Sequence, residues 1–105
     1  MATADITLER TMPFSAESER AILGAILLDE KAFSVAAEFL SAEDFYDERN
    51  RQIYRTMISL VEDEKPIRMI LLLEELRRRN KVEEAGGPAY LATLTAQMEY
   101  LWPWT

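Results

Sequence analysis

The 105-residue chain contains no cysteine and no histidine. Without cysteine it can form no disulfide and offers no thiolate to a metal ion. Without histidine it lacks a common zinc ligand and the side chain that most often acts as a general base near neutral pH. Catalysis would have to rest on carboxylates, and these fall at predicted turns and helix ends, where a role as solvated caps is favoured. We therefore expect no catalytic, cofactor-binding or metal-binding residue.

Long apolar runs are also missing. The longest run, residues 69–73, has five residues, whereas a transmembrane helix needs roughly 18. The first dozen residues do not combine a basic start with an apolar block, as a secretory signal would. Together with the absence of cysteine, these features predict a cytoplasmic protein.

Basic residues are fewer than acidic ones, with 12 Lys and Arg against 19 Asp and Glu and a net charge of −7. Proteins bind a phosphate backbone through Lys and Arg, and an acidic domain repels it over about 8 Å at physiological salt. Arg49, Arg51 and Arg55 lie near Tyr54 and could contact a nucleic acid, but their acidic neighbours argue against this. The chain also lacks a GxxxxGK[ST] phosphate loop. We expect neither direct nucleic-acid binding nor ATP hydrolysis.

Helix caps and apolar residues at helical spacing occur along most of the chain. Ser15 and Asp29 are predicted to begin the first two helices, and Ser41 with Asp44 a single turn. Three further helices are predicted at about residues 48–62, 68–80 and 88–98. We therefore predict an all-α fold, a small orthogonal bundle of about five to six helices over residues 13–97, with a flexible arm at 1–12 and an atypical aromatic tail at 98–105.

The same patterns assign side chains to the core. The second helix is expected to bury one face, and the turn after it to deliver Phe45 and Tyr46 to the core or its rim. The third helix is expected to bury a five-residue stripe, and Gly86 to supply the positive φ that ends the turn before the last helix. The expected inward residues of these two helices are Phe33, Ala36, Ala37, Leu40, Ile53, Tyr54, Met57, Leu60 and Val61.

Residues 69–73 are five apolar residues in a row on a helix, and their side chains point in every direction. One small core can hardly bury them all, so part of this run is predicted to meet another chain; the alternative is packing under the arm or the C-terminal segment. The arginines at 77–79 either contact an acidic surface or complement the helix dipole and pair with Glu74 and Glu75. The candidate interface residues are Met69, Ile70, Leu71, Arg77, Arg78, Tyr100, Leu101 and Trp102.

Three sequence blocks occur in a characteristic order. They are SAESERAILGAILLD at residues 15–29, FYDERNRQIY at 45–54 and EEAGGPAYL at 83–91. In order and spacing they resemble the N-terminal domain of DnaB-type bacterial replicative helicases, over roughly residues 13–97.

The resemblance implies a protein-interaction role. In that family the N-terminal domains form a collar on a hexameric ring, help to assemble the hexamer, and receive a DnaG-type primase or a helicase loader during DNA replication. The motor, with its ATP and Mg²⁺ site, lies in a later domain, so this chain would be no enzyme and need no cofactor. Its partners would be other helicase subunits, bound weakly, and the primase or loader, in the bacterial cytoplasm. The alternative is a stand-alone adaptor or helicase-modulating protein that uses the same fold.

Three departures from the family pattern stand out. Asn50 replaces a usual His, and Arg68 replaces a common Asp, which removes a capping carboxylate from the fourth helix. After residue 97 the family continues into a helical hairpin that pairs subunits, whereas this chain has the aromatic tail. That tail is either a foreign end or a replacement for the hairpin.

Overall fold

A computed structural model describes residues 15–101 of the chain, with side chains as far as residue 96. This part contains five α-helices and a 3-10 turn, and none of its residues lies in a strand. The predicted all-α fold is therefore confirmed. In chain order the elements are α1 (Ala16–Leu28), α2 (Lys31–Phe39), the 3-10 turn (Ala42–Asp44), α3 (Glu48–Glu62), α4 (Met69–Arg78) and α5 (Gly87–Leu101).

Short polar side chains begin the helices as the sequence predicts. The Ser15 hydroxyl accepts a hydrogen bond from the backbone N–H of Ser18 at 3.1 Å and caps α1. Ser41 and Asp44 form a reciprocal capping box around the 3-10 turn. Asp29 accepts from the N–H of Lys31 at 3.0 Å, which satisfies a donor that the first turn of α2 leaves free.

The core lies where α1, α3, α4 and α5 meet. Tyr54 is its largest fully buried side chain, and its ring centroid lies 4.9 Å from that of Phe45 and 5.8 Å from that of Phe33. The Tyr54 hydroxyl donates to the carbonyl oxygen of Leu40 at 3.0 Å, so a polar group inside the core is satisfied. Around it pack the aliphatic side chains of Leu23, Ile26, Ile53, Met57, Leu60, Leu72, Leu76, Leu91 and Leu94.

Three core assignments need correction or refinement. Val61 is 42% exposed and Ala37 is exposed, so both inward assignments were wrong. Val61 lies in the last turn of α3, beyond the edge of the core, and α2 lies at the edge of the bundle, where Phe33 is its one buried residue. Phe45 is fully buried as expected, whereas Tyr46 projects outward and is 71% exposed.

The turn before α5 depends on glycine. Gly86 adopts φ +97° and Gly87 φ +81°, a region that side chains with a Cβ rarely adopt. A Cβ at position 86 would lie 2.8 Å from the Tyr90 side chain, so that position excludes a side chain on two grounds. The predicted role of Gly86 is confirmed.

Helix α5 extends to Leu101, so the prediction that it ends near residue 98 was wrong. Between Pro88 and Pro103 no residue lacks a backbone N–H or favours a turn strongly enough to stop the helix. The predicted arm at 1–12 and the end of the tail at 102–105 lie outside the described residues, and the proposed domain limits remain a prediction.

Candidate protein-interaction site

The predicted interface run is at the start of α4. Its N-cap residue, Arg68, makes no side-chain capping bond, as its cationic side chain led us to expect. Within the run, Leu72 is buried in the core, Met69 and Leu71 are half-buried, and Ile70 is 67% exposed. The helix therefore presents an isoleucine to solvent at a position directly opposite its buried face.

Leu71 lies on the flank of α4 that faces the end of α3. There it helps to line a cleft of about 110 Å³. The cleft combines apolar walls with charged groups, a combination common at small interaction sites. Its lining residues are Leu60, Lys65, Leu71, Glu74, Glu75 and Arg78.

The arginines that end α4 divide into paired and unpaired side chains. Arg78 and Arg79 both pair with Glu75, the latter with its Nε atom 3.1 Å from Oε2. The expected Glu75–Arg79 pair is confirmed, whereas Arg78 contacts Glu75 rather than Glu74, because the residue three positions away is also a neighbour on a helix. Arg77 is exposed and has no ion-pair partner among the residues described.

Glu75 is held ionised by these two arginines. Its side chain is only 4% exposed, whereas those of Arg78 and Arg79 are 67% and 36% exposed. The hydrogen bond from Arg78 is the largest influence and lowers the pKa of Glu75 below its ordinary value, with Arg79 adding to it and desolvation opposing. Arg78 is therefore largely engaged within the helix, which leaves Arg77 as the predicted interface arginine available to a partner.

The aromatic part of the predicted interface cannot be placed. The backbone at Tyr100 and Leu101 belongs to α5, but their side chains, and all of Trp102, lie outside the described residues. These three stay a prediction.

A buried polar junction, which the sequence did not predict, joins the first turn of α1 to the start of α3. The carboxylate of Glu19, 1% exposed, accepts hydrogen bonds from the backbone N–H groups of Tyr46 at 2.5 Å and Asp47 at 3.2 Å. It also accepts from Nδ2 of Asn50 at 2.8 Å. One acidic group in α1 thus fixes the chain where it enters α3.

The junction continues to α5. The hydroxyl of Tyr90 donates to Oδ1 of Asn50 at 2.6 Å, and burial is the main cause that raises the pKa of Tyr90 above its ordinary value. The guanidinium of Arg49 lies 4.1 Å from the centroid of the Tyr90 ring, and it lowers the pKa of Asp47 through a hydrogen bond. Asn50, which stands where the resembled family usually has His, is central to this network.

The helix dipole alone accounts for a carboxylate at position 19, in the first turn of α1. A signal for its burial was nevertheless present, since Leu23 and Ile26 follow it by four and seven residues and so share its face. Among the described residues every buried side-chain nitrogen or oxygen atom has a hydrogen-bond partner. The junction is therefore internally satisfied, and its geometry suits a structural clamp rather than a reaction centre.

In the part of the chain that the structure describes, no group of three acidic side chains is placed to hold a metal ion. No helix in that part is long and apolar enough to cross a membrane.

The sequence matches the protein family described as DnaB-like helicase N terminal domain over residues 11–101. The chain belongs to this family. The resemblance inferred from the three sequence blocks is therefore confirmed, and the fold agrees as well. The crystal structure of the N-terminal domain of DnaB helicase from Mycobacterium tuberculosis superposes with a TM-score of 0.76 at 30% identity, covering 80% of this chain and 60% of that one.

Longer relatives belong to the same family. The replicative DNA helicase DnaB of Rhodothermus marinus is 38% identical over 89 residues, which are 85% of this chain and 10% of the helicase. That of Geobacillus stearothermophilus is 35% identical over 91 residues, 87% of this chain and 20% of the helicase. The chain thus spans between a tenth and a fifth of the length of these relatives.

Proposed function

We propose that this chain acts as the protein-interaction collar domain of a replicative DNA helicase. It would support assembly of the hexamer and dock a DnaG-type primase or a helicase loader during DNA replication in the bacterial cytoplasm. The family match over residues 11–101 is the observation that carries this proposal. Ile70 is exposed beside the cleft, and Arg77 has no ion-pair partner among the described residues, so both could contact a partner.

The proposal assigns no motor activity to the chain itself. Its sequence has no GxxxxGK[ST] phosphate loop to hold ATP and Mg²⁺. Its net charge of −7 opposes attraction to a nucleic-acid backbone. Other parts of a helicase would then unwind the DNA duplex, and this domain would contribute protein–protein contacts.

A binding experiment tests the proposal. The intact chain is immobilised and exposed separately to full-length DnaB-type helicase and to DnaG-type primase, and the same is done with Ile70→Glu. A matched control is Val61→Glu, which places the same charge at another exposed aliphatic residue, in the last turn of α3. We expect at least one partner to bind the parent and the control but to bind Ile70→Glu at least about tenfold more weakly. Failure of both partners to bind the parent would refute the collar role and favour an adaptor for another protein.

A further inference from the structure

Negative charge is concentrated in one segment of the chain, residues 29–48. This segment contains seven acidic residues and one lysine, a net charge of −6, whereas the rest of the chain has twelve acidic and eleven basic residues, a net charge of −1. It comprises α2, the 3-10 turn and the first residue of α3. The net charge of −7 is therefore almost entirely a property of this part of the chain.

Basic residues neutralise only part of this charge. Three arginines of α3 pair with acidic residues of the segment, as Arg55 does with Glu43 at 3.2 Å. The side chain of Glu38 is exposed and makes neither an ion pair nor a hydrogen bond within the described part of the chain. The acidic residues of the segment that have no ion-pair partner among the described residues are Asp29, Glu30, Glu38 and Asp44.

The same segment carries most of the strongly exposed apolar side chains. Four large hydrophobic residues in the described part are between 61% and 75% exposed, and three of them, Val35, Phe39 and Tyr46, lie between residues 29 and 48. Val35 and Phe39 are four positions apart on α2, so their side chains are neighbours on one face of the helix. Glu38, three positions after Val35, borders this pair. Exposed apolar surface and unpaired negative charge thus coincide on α2.

The end of α2 adds to the negative potential. The helix ends at Phe39, and no basic residue lies in its last turn. The C-terminal end of a helix carries a partial negative charge, which favours a cation close to it. Glu38 and the helix end therefore both favour a positively charged group beside Phe39.

We propose that the α2 face, defined by Val35, Glu38 and Phe39, binds a basic amphipathic helix of a partner protein. The apolar residues of that helix pack against Val35 and Phe39, and lysine or arginine side chains at its border pair with Glu38 and approach the end of α2. A nucleic acid or an anionic membrane would be repelled by the same charge. The α2 face includes no residue of α4, so it is separate from the contacts proposed for Ile70 and Arg77.

The association is expected to be weak and dependent on salt. Two apolar side chains and a few charges form a smaller contact than the roughly 1,200 Å² of total area typical of stable complexes. We expect a Kd of about 10–500 µM. Attraction between exposed charges is screened over a shorter distance as salt is added. Binding should therefore be at least about threefold weaker in 0.5 M than in 0.05 M NaCl.

Selection from a peptide library tests which chemistry the face binds. Helical peptides of roughly 20 residues, with all outward positions randomised, are displayed on phage and selected on the immobilised intact chain. We expect the enriched peptides to combine apolar residues at helical spacing with a net positive charge. The most enriched peptide is then synthesised, and its Kd is measured by fluorescence anisotropy.

Two matched pairs of variants locate the contact. Phe39→Ser should weaken binding of that peptide at least about tenfold, whereas Ile70→Ser, the same kind of change at an exposed residue of α4, should leave the Kd unchanged. Glu38→Gln should weaken binding about two- to fivefold. Glu62→Gln removes an exposed carboxylate from the last turn of α3 and should have no effect. Circular dichroism checks that all four variants are folded.

Several results would overturn the proposal. Enrichment of neutral or acidic peptides, or no enrichment above that on an empty support, would show that the face does not bind basic helices. Equal losses with Glu38→Gln and Glu62→Gln would reduce the effect to the overall charge of the chain. If no peptide is enriched and Phe39→Ser alters only the sedimentation of the chain, the face contacts another copy instead. The collar role fails on a separate result, the absence of helicase and primase binding by the parent.

Discussion

Glu19→Gln is expected to be among the most destabilising single-atom changes available to this domain. The Glu19 carboxylate accepts three hydrogen bonds, from the backbone N–H groups of Tyr46 and Asp47 and from Asn50 Nδ2. A glutamine side chain keeps the volume but replaces one acceptor oxygen with an NH₂ donor. At least one buried N–H group would then face another donor and lose its partner.

The magnitude follows from the chemistry of these bonds. A hydrogen bond to a charged group contributes about 1.5–3 kcal/mol, and an unsatisfied buried donor costs about 1–3 kcal/mol. Because the amide oxygen can still accept the bonds of one carboxylate oxygen, we expect Glu19→Gln to lower the free energy of unfolding by about 2–4 kcal/mol. Domains of this size have only about 5–15 kcal/mol in total, so the variant should unfold at clearly lower denaturant concentration.

The assay is equilibrium unfolding in urea at pH 7, followed by circular dichroism. Glu17→Gln is the control, because Glu17 is an exposed carboxylate in the same first turn of α1. It removes the same charge at the same helix end and should cost no more than about 0.5 kcal/mol. If both variants lose the same stability, or if Glu19→Gln costs less than about 1 kcal/mol, the junction does not clamp the fold as described.

Three further changes probe other parts of the structure. Tyr90→Phe should lower the unfolding free energy by about 1 kcal/mol in the same urea assay, since Asn50 loses a donor; an unchanged midpoint would contradict this. Gly86→Ala should lower the free energy of unfolding by at least about 2 kcal/mol and Gly87→Ala by about 1 kcal/mol, because only the alanine at position 86 would clash with Tyr90. Equal losses of stability in the two variants would contradict that clash. Glu75 has a lowered pKa in the folded state, so its stabilising effect is present above the unfolded pKa and disappears as pH falls through the folded pKa. The parent should therefore be more stable than Glu75→Gln at pH 7, and this difference, measured from urea midpoints at a series of pH values, should shrink on acidification. A difference that grows on acidification would refute the lowered pKa of Glu75.

Helix starts were predictable because their determinants are local. Ser15 and Ser41 cap through side-chain oxygens to residues three positions away, and such spacing is visible in sequence. The positive φ of Gly86 was predictable for the same reason. This glycine lies between a turn and a helix that has Pro88 near its start, and a residue with positive φ is common at such a place. The resemblance of the three sequence blocks to a known family also predicted the fold and the family.

Long-range partners were not predictable in the same way. The contacts of Glu19 join residues 27 to 31 positions apart, and a carboxylate in a first turn usually needs no tertiary partner to explain it. Val61 has the spacing of a core residue, yet its burial depends on how far the neighbouring helices extend. The exposed face of α2 was likewise unforeseen, because the helix was assigned a wider buried face than the bundle provides.

NMR titration most directly tests the proposal that this chain docks replication proteins. The ¹⁵N-labelled chain is titrated with unlabelled DnaG-type primase in one series and with unlabelled DnaB-type helicase in another. We expect saturable shifts or line broadening concentrated on α4, around Ile70, Leu71 and Arg77, with the buried junction at Glu19 and Asn50 unaffected. Spectra that remain unchanged with both partners at concentrations of about 1 mM, where even weak complexes form, would contradict it.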